Sequence, residues 1–204
     1  DNWLPSIESV GRIDALMMET RLAQVLHANT SGDDQVDYDR RVQKGMADID
    51  AAFAVYAKLV SSPEEQKLYD EVATGWKRYV ALSAPAKKLV AEGLIAQATT
   101  VLNGEARVVF RVTGDKLDEL DDAREEIDER KKEFEQALQE LQPRLEKVAQ
   151  SKSLGAKKTA VDTAKAEVDA AGKAGDYAAG LTAIDGLTAA LDDFDKAQEE
   201  LDAK

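Results

Sequence analysis

Among 204 residues, few side chains can do chemistry, and their spacing narrows what that chemistry is. Arg21 stands on an early stretch with helical apolar spacing. Thr99, Thr100 and Asn103 stand on a later one, followed by Arg107 and Arg111, one helical turn apart. A carboxylate is recognised by this kind of set: a guanidinium gives charge-assisted, bidentate bonds, and neutral hydroxyl and amide donors complete the coordination. Tyr79 adds a phenolic hydroxyl. Each of these has a plainer reading. Arg21 can pair with an acid such as Glu19, or with Asp14 of a partner copy. The threonines can be simple surface residues, Arg107 and Arg111 can pair with acids on adjacent helices, and Trp76 and Tyr79 can be core aromatics.

What is missing is as informative. There is no cysteine, and His27 is the single histidine. Thiolate catalysis, sulfur-bound zinc, histidine pairs and a Glu-x-x-His di-metal bundle are therefore excluded. No metal or cofactor is expected. Nor is an enzyme: no glycine loop or nucleophile elbow occurs, and paired carboxylates on an exposed helix lack the burial that tunes their pKa. Forty acidic residues against 27 basic ones give a net charge of -13. No basic face remains to track phosphates, so nucleic acid is not an expected partner, and anionic lipid is equally disfavoured. No apolar run is long enough to span a bilayer. The start at Asp1 carries no signal-peptide pattern, which fits a mature or trimmed product.

These residues need elements to position them, and the elements are helical. Prolines number four and glycines twelve, while Ala, Leu, Glu, Lys and Asp dominate. Ile7, Val10, Ile13 and Met17 form one face of a first helix that fades at Asn29–Asp34. Val42, Met46, Ile49, Phe53, Tyr56 and Val60 stripe a second, over about 35–61. Ser62-Pro63-Glu64-Glu65 is a helix start: an N-cap serine, proline at the first turn, and Glu65 spaced for a capping box. The third helix carries Leu68, Val72, Trp76, Tyr79 and Leu82, with Pro85 expected to bend it. Glu92-Gly93 is the next break, and a fourth helix starts near Leu94.

Four such stripes joined by short loops predict an all-α, up-down-up-down antiparallel four-helix bundle. After Gly114 no glycine or proline occurs until Pro143, so the fourth helix is expected to continue through the acidic stretch 118–129. That stretch reads as a solvated face with intrahelical pairs to Arg124, Arg130, Lys131 and Lys132. Beyond it the chain becomes more acidic and poorer in aromatics. A turn over 151–155, an alanine-rich helix, a loop over 171–176 ending in the N-cap candidate Asp176, and a last helix follow. We expect two domains: a bundle over 1–120 and a charged, Ala-rich, antiparallel three-helix module over 121–204, joined in register as in a fusion.

In such a bundle Arg21 lies about nine residues below the first loop, and about nine residues down from Gly93 reach Leu102-Asn103. Thr99, Thr100 and Asn103 then share a level with Arg21, and the third helix brings Tyr79 to Ser83 to the same height. Arg107 and Arg111 sit lower.

The first part also resembles a known family. Leu16-Met17-Met18-Glu19-Thr20-Arg21, on a helix opening with Asp1-Asn2-Trp3-Leu4-Pro5, is similar to the four-helix-bundle ligand-binding domain of methyl-accepting chemotaxis receptors. So are Leu68-Tyr69 and Trp76-Lys77-Arg78-Tyr79 on the third helix. The fourth-helix run Glu92-Gly93, Ala96, Ala98, Val101-Leu102-Asn103-Gly104, Phe110 and Leu117 is similar as well. The resemblance covers about residues 1–120. It implies a periplasmic sensor, homodimeric through its first helix, that binds a small organic acid (a di- or tricarboxylate or an aromatic acid) and passes a helix displacement on in chemotaxis signalling. Two features depart from it. Charged residues 118–130 stand where a membrane span would begin, and Leu22 to Thr30 lacks the further arginines of the aspartate-sensing members. The competing reading is a structural or interaction protein, a striped helical rod with no small-molecule site.

Overall fold

The computed structural model describes residues 4–151 and 153–203, with side chains described from residue 10 onward. The described residues form helices and connecting turns only: α1 Leu4–Asn29, α2 Asp33–Tyr56, α3 Pro63–Ala91, α4 Ile95–Asn103, α5 Glu105–Gln150, α6 Gly155–Ala174 and α7 Tyr177–Asp202. The all-α bundle expected from the apolar spacing is what forms. Asp1, Asn2 and Trp3, and the side chain of Ile7, lie outside the described residues. The chain divides into two compact units, Asp1–Glu125 and Glu126–Lys204, and α5 contributes to both.

In the first unit the stripes do what their spacing demands. Val10, Ile13 and Met17 of α1 meet Ile49, Phe53 and Tyr56 of α2, Val72, Trp76 and Tyr79 of α3, and Leu117 and Leu120 of α5 in one core. A smaller cluster of Ala28, Ala86, Val90, Ala98 and Leu102 closes the upper end. The backbones of α1 and α2 run close together, as do those of α3 and α4. Glycine permits two of the tightest approaches. A Cβ on Gly45 would stand 2.1 Å from Thr20 Oγ1, and one on Gly75 would stand 2.3 Å from Thr113 Oγ1.

Helix boundaries follow local chemistry where it is strong. Ser62 Oγ accepts the Glu65 N–H at 3.1 Å, and Asp176 accepts the Ala179 N–H at 3.0 Å, both N-caps as expected. Gly93, at φ 74°, ends α3 with Leu94 N–H returned to the Leu89 carbonyl at 2.8 Å. Pro85 stays inside α3.

Four expectations are corrected. The second helix stops at Tyr56 rather than near 61, leaving turns before Ser62. The 171–176 loop shrinks to Gly175-Asp176, because α6 winds on to Ala174 and ends on Gly175 in the left-handed region. The fourth helix is interrupted: α4 ends at Asn103, and Gly104 separates it from α5. Finally, Arg124 does not lie on a solvated face. It is buried against Glu65 of α3 at 3.2 Å, so Glu65 serves this contact instead of a capping box. Arg130 does pair with Glu126 within α5.

In the second unit Phe134, Leu141 and Val148 of α5, Val161 and Val168 of α6, and Ile184, Leu187, Leu191 and Phe194 of α7 form an aliphatic-rich core. The Phe134 ring lies against Gly172 and Gly180, where larger residues would collide with it.

Candidate functional site

Arg21 lies on α1 in the upper half of the first unit, half-buried. Its guanidinium is 5.0 Å from the centroid of Phe110 and 5.7 Å from that of Tyr79, an arrangement in which ring faces stabilise the cation. Its hydrogen bonds are long and go to neutral acceptors. Nη1 reaches the Tyr79 hydroxyl at 3.5 Å, and Nη2 reaches the Leu102 carbonyl at 3.3 Å. No carboxylate among the described residues pairs with it. A guanidinium carries five N–H donors, so most of this one's capacity is unspent.

The helix interruption makes the second contact available. In an unbroken helix the Leu102 carbonyl would accept from the Ala106 N–H. Here the backbone bonds across the break run from Gly104 to Thr100 and from Arg107 and Val108 to Gly104. That leaves the Leu102 carbonyl as an orphan helix-end acceptor, and Arg21 takes it. Gly104 suits the break: a Cβ there would lie 2.9 Å from the Thr100 carbonyl oxygen.

Tyr79 is fully buried, its ring tilted against Trp76 at 5.2 Å and edge-on to Phe110 at 5.1 Å. Burial raises its pKa above the usual tyrosine range, against the opposing pull of Arg21, so it keeps its proton. That proton goes to the Gln24 side-chain carbonyl, and the Gln24 amide in turn donates to Ser83 Oγ at 3.3 Å. Arg21, Tyr79, Gln24 and Ser83 thus form one relay linking α1 and α3.

The other expected site residues are placed differently. Thr99 is half-buried, and Thr100 and Asn103 are exposed on α4. The Thr100 hydroxyl donates to the Ala96 carbonyl at 2.9 Å. Arg107 and Arg111 are exposed on α5, and neither makes the ion pair with a neighbouring helix that their plainer reading supposes. No hydrogen bond joins any of these five to Arg21. The structure therefore brings Arg21 and Tyr79 together and leaves Thr99, Thr100, Asn103 and Arg107 as separate groups on α4 and α5.

Gln24, Phe110 and the Leu102 carbonyl were not singled out as site groups from the sequence. Gln24 had a usable signal, a polar residue three positions after Arg21 on a largely apolar face. A carbonyl freed by a helix break had none. No group of histidines, cysteines or carboxylates among the described residues could hold a metal ion, and no described helix is long and apolar enough to cross a membrane.

Residues 1–133 match the family described as a four helix bundle sensory module for signal transduction. No curated protein and no solved structure matches the chain.

Proposed function

The chain belongs to the four-helix-bundle sensory modules of chemotaxis receptors, a family of signalling domains, and from that premise we propose that its first unit is a periplasmic sensor of a small organic acid, with Arg21 as the anchor. The observation that carries this is a half-buried guanidinium held by two long bonds to neutral acceptors, with no acid to neutralise it. Leaving a desolvated cation without a counter-ion is costly, and an anion from outside offsets that cost. A carboxylate would replace the 3.3 Å and 3.5 Å contacts with shorter, charge-assisted ones. Thr99, Thr100 and Asn103 on α4 are the neutral groups proposed to complete the site, with the Tyr79 hydroxyl holding Arg21 in place as an acceptor and Arg107 a second cation at the lower edge. A di- or tricarboxylate or an aromatic acid suits this set.

Because Arg21 belongs to α1 and its carbonyl partner to α4, a ligand drawing on both biases the position of one helix against the other. That bias is limited to its differential affinity for the two positions. The partner proposed for α1 is a second copy of the same helix. Met18 and Leu22, one turn apart, are 56% and 59% exposed, an apolar pair that a dimer would cover.

A thermal-shift screen with succinate, malate, citrate and benzoate tests the reading. Ligand at 100 times its dissociation constant adds about 2.7 kcal/mol of stability. A shift with at least one acid that Arg21→Ala abolishes supports the proposal. A flat response across the panel favours a helical interaction protein in which Arg21 only clamps the end of α4.

A further inference from the structure

A second feature of the first unit adjoins the Arg21 contacts, sharing Leu102 with them and Gln24 and Ser83 with the relay. In the upper bundle, α1, α2, α3 and the end of α4 enclose a crevice of about 220 Å³. Its walls are apolar: Met46 and Val42 of α2, Val80 and Val90 of α3, and Leu102 of α4. A dry cavity of about 150 Å³ is enough to take a benzene ring. Three of the five polar residues in this lining, Gln24, His27 and Ser83, are neutral. Ser83, which is 2% exposed, and Gln24 stand on α3 and α1. Gln24 spends its carbonyl on Tyr79 and one N–H on Ser83, and its second amide N–H has no partner among the described residues. Asp39 and Lys87, the charged lining residues, neutralise each other at 2.7 Å. His27 is the remaining polar group, and burial lowers its pKa, with Asp39 pulling it upward and Lys87 pushing it further down. At neutral pH it is an uncharged donor and acceptor.

An apolar crevice with a few convergent neutral polar groups is the usual form of a small-molecule site. We propose that this crevice binds an uncharged, single-ring molecule carrying one hydroxyl or similar hydrogen-bonding group, with Gln24, Ser83 or His27 as its polar contact. A carboxylate is disfavoured here, since no unpaired cation lines the crevice to offset its desolvation. The ligand differs in charge from the organic acid and makes no contact with the Arg21 guanidinium, so its binding does not rest on that of the acid.

The test uses the whole chain with phenol, toluene and benzoate as probes, following the Met46 methyl resonance and the heat of binding. Saturable phenol binding that shifts Met46, at least tenfold tighter than toluene or benzoate, is the expected result. Gln24→Met should reduce the preference of phenol over toluene. Ala84→Leu, a larger residue in an exposed part of the lining, should weaken all binding. Arg21→Ala should leave phenol binding intact while abolishing that of the acids, so failure of either site is distinguishable from failure of the other. Equal binding of phenol and toluene would overturn the proposal by making the crevice a plain apolar void. So would tighter binding of benzoate, or no saturable response to phenol.

Discussion

The two units bury very different materials. Every buried polar or charged residue described (Thr20, Glu65, Ser83, Thr113 and Arg124) belongs to the first, while the core of the second is aliphatic with Phe134 and Phe194. The second unit keeps its charges at the rim, where Arg144 of α5 meets Asp192 and Asp195 of α7 and Lys147 meets Asp195. Buried polar groups cost stability unless fully satisfied, and hydrophobic replacements are often as stable. A unit that carries so many gives up stability for something other than folding. The first unit is built around specific hydrogen-bonded positions, and the second around packing alone.

The sharpest way to break this comparison is to remove one half of the buried pair. Glu65 accepts from Tyr56 Oη at 2.8 Å, from Ser61 N–H at 2.7 Å and from Arg124 Nη1 at 3.2 Å, with no exposure to solvent. Glu65→Leu leaves Arg124 desolvated and should cost about 3–5 kcal/mol. Adding Arg124→Met should recover much of that loss. Trp76 is buried in the first unit and the sequence of the second holds no tryptophan, so denaturation followed by tryptophan fluorescence reads the first unit selectively. A single-variant loss below 1 kcal/mol would mean the pair is not buried as described.

Packing variants probe both units on the same scale. Gly75→Ala forces a methyl within 2.3 Å of Thr113 Oγ1, and Gly180→Ala forces one within 2.6 Å of the Phe134 ring. Each overpacks a tight helix contact and should cost about 1–3 kcal/mol. Gly75→Ala should move the fluorescence transition, and Gly180→Ala only the far-UV signal of the rest. By contrast Arg144→Met, at a half-exposed pair, should change stability by no more than about 1 kcal/mol.

Acidification separates the units in sign, with the smallest effect of the set. In the first, burial, and then the Asp118 carboxylate, raises Asp14 above the ordinary 3.8. Burial followed by Glu125, Asp122, Asp118 and Asp14 raises Asp121, whose Oδ1 has no hydrogen-bond partner. These groups hold protons more tightly folded than unfolded, so their contribution to stability falls as pH rises above 3.8. In the second, the Lys157 hydrogen bond lowers Asp193. Burial pulls Asp195 upward but is outweighed by Lys147 and Arg144, which hold it below 3.8. Their contribution is present above that value and lost as pH drops below it. Region-resolved hydrogen exchange between pH 6 and pH 3 should show opposite trends at these positions; parallel trends would contradict the assignment.

What the sequence revealed divides along the same physical line. Stripe spacing gave the helices, and caps at Ser62 and Asp176 could be read because each is decided within three residues. Glu65 was misread for the complementary reason. Its spacing from Ser62 is that of a capping box, but its carboxylate is taken up by Ser61, Tyr56 and Arg124, the last 59 residues away, and only tertiary packing brings that pair together. The α6 terminus was misplaced because two glycines, Gly172 and Gly175, compete as stop signals. Only Gly175 takes a positive φ; Gly172 stays helical where Phe134 needs space. In the candidate site, Arg21 and Tyr79 were found by counting levels. The Leu102 carbonyl was not, since its release depends on a one-residue break at Gly104 that stripe spacing passes over.

The central claim is that Arg21 is an unspent cation awaiting an acid. The most direct measurement follows the side-chain Nε–H resonances of the arginines while succinate, citrate and benzoate are titrated into the intact chain. The account predicts that one of these acids moves the Arg21 resonance saturably, with exposed Arg40 and rim Arg144 unmoved. An Arg21 signal that stays fixed at saturating concentrations of all three, or that drifts in step with every exposed arginine, would contradict it.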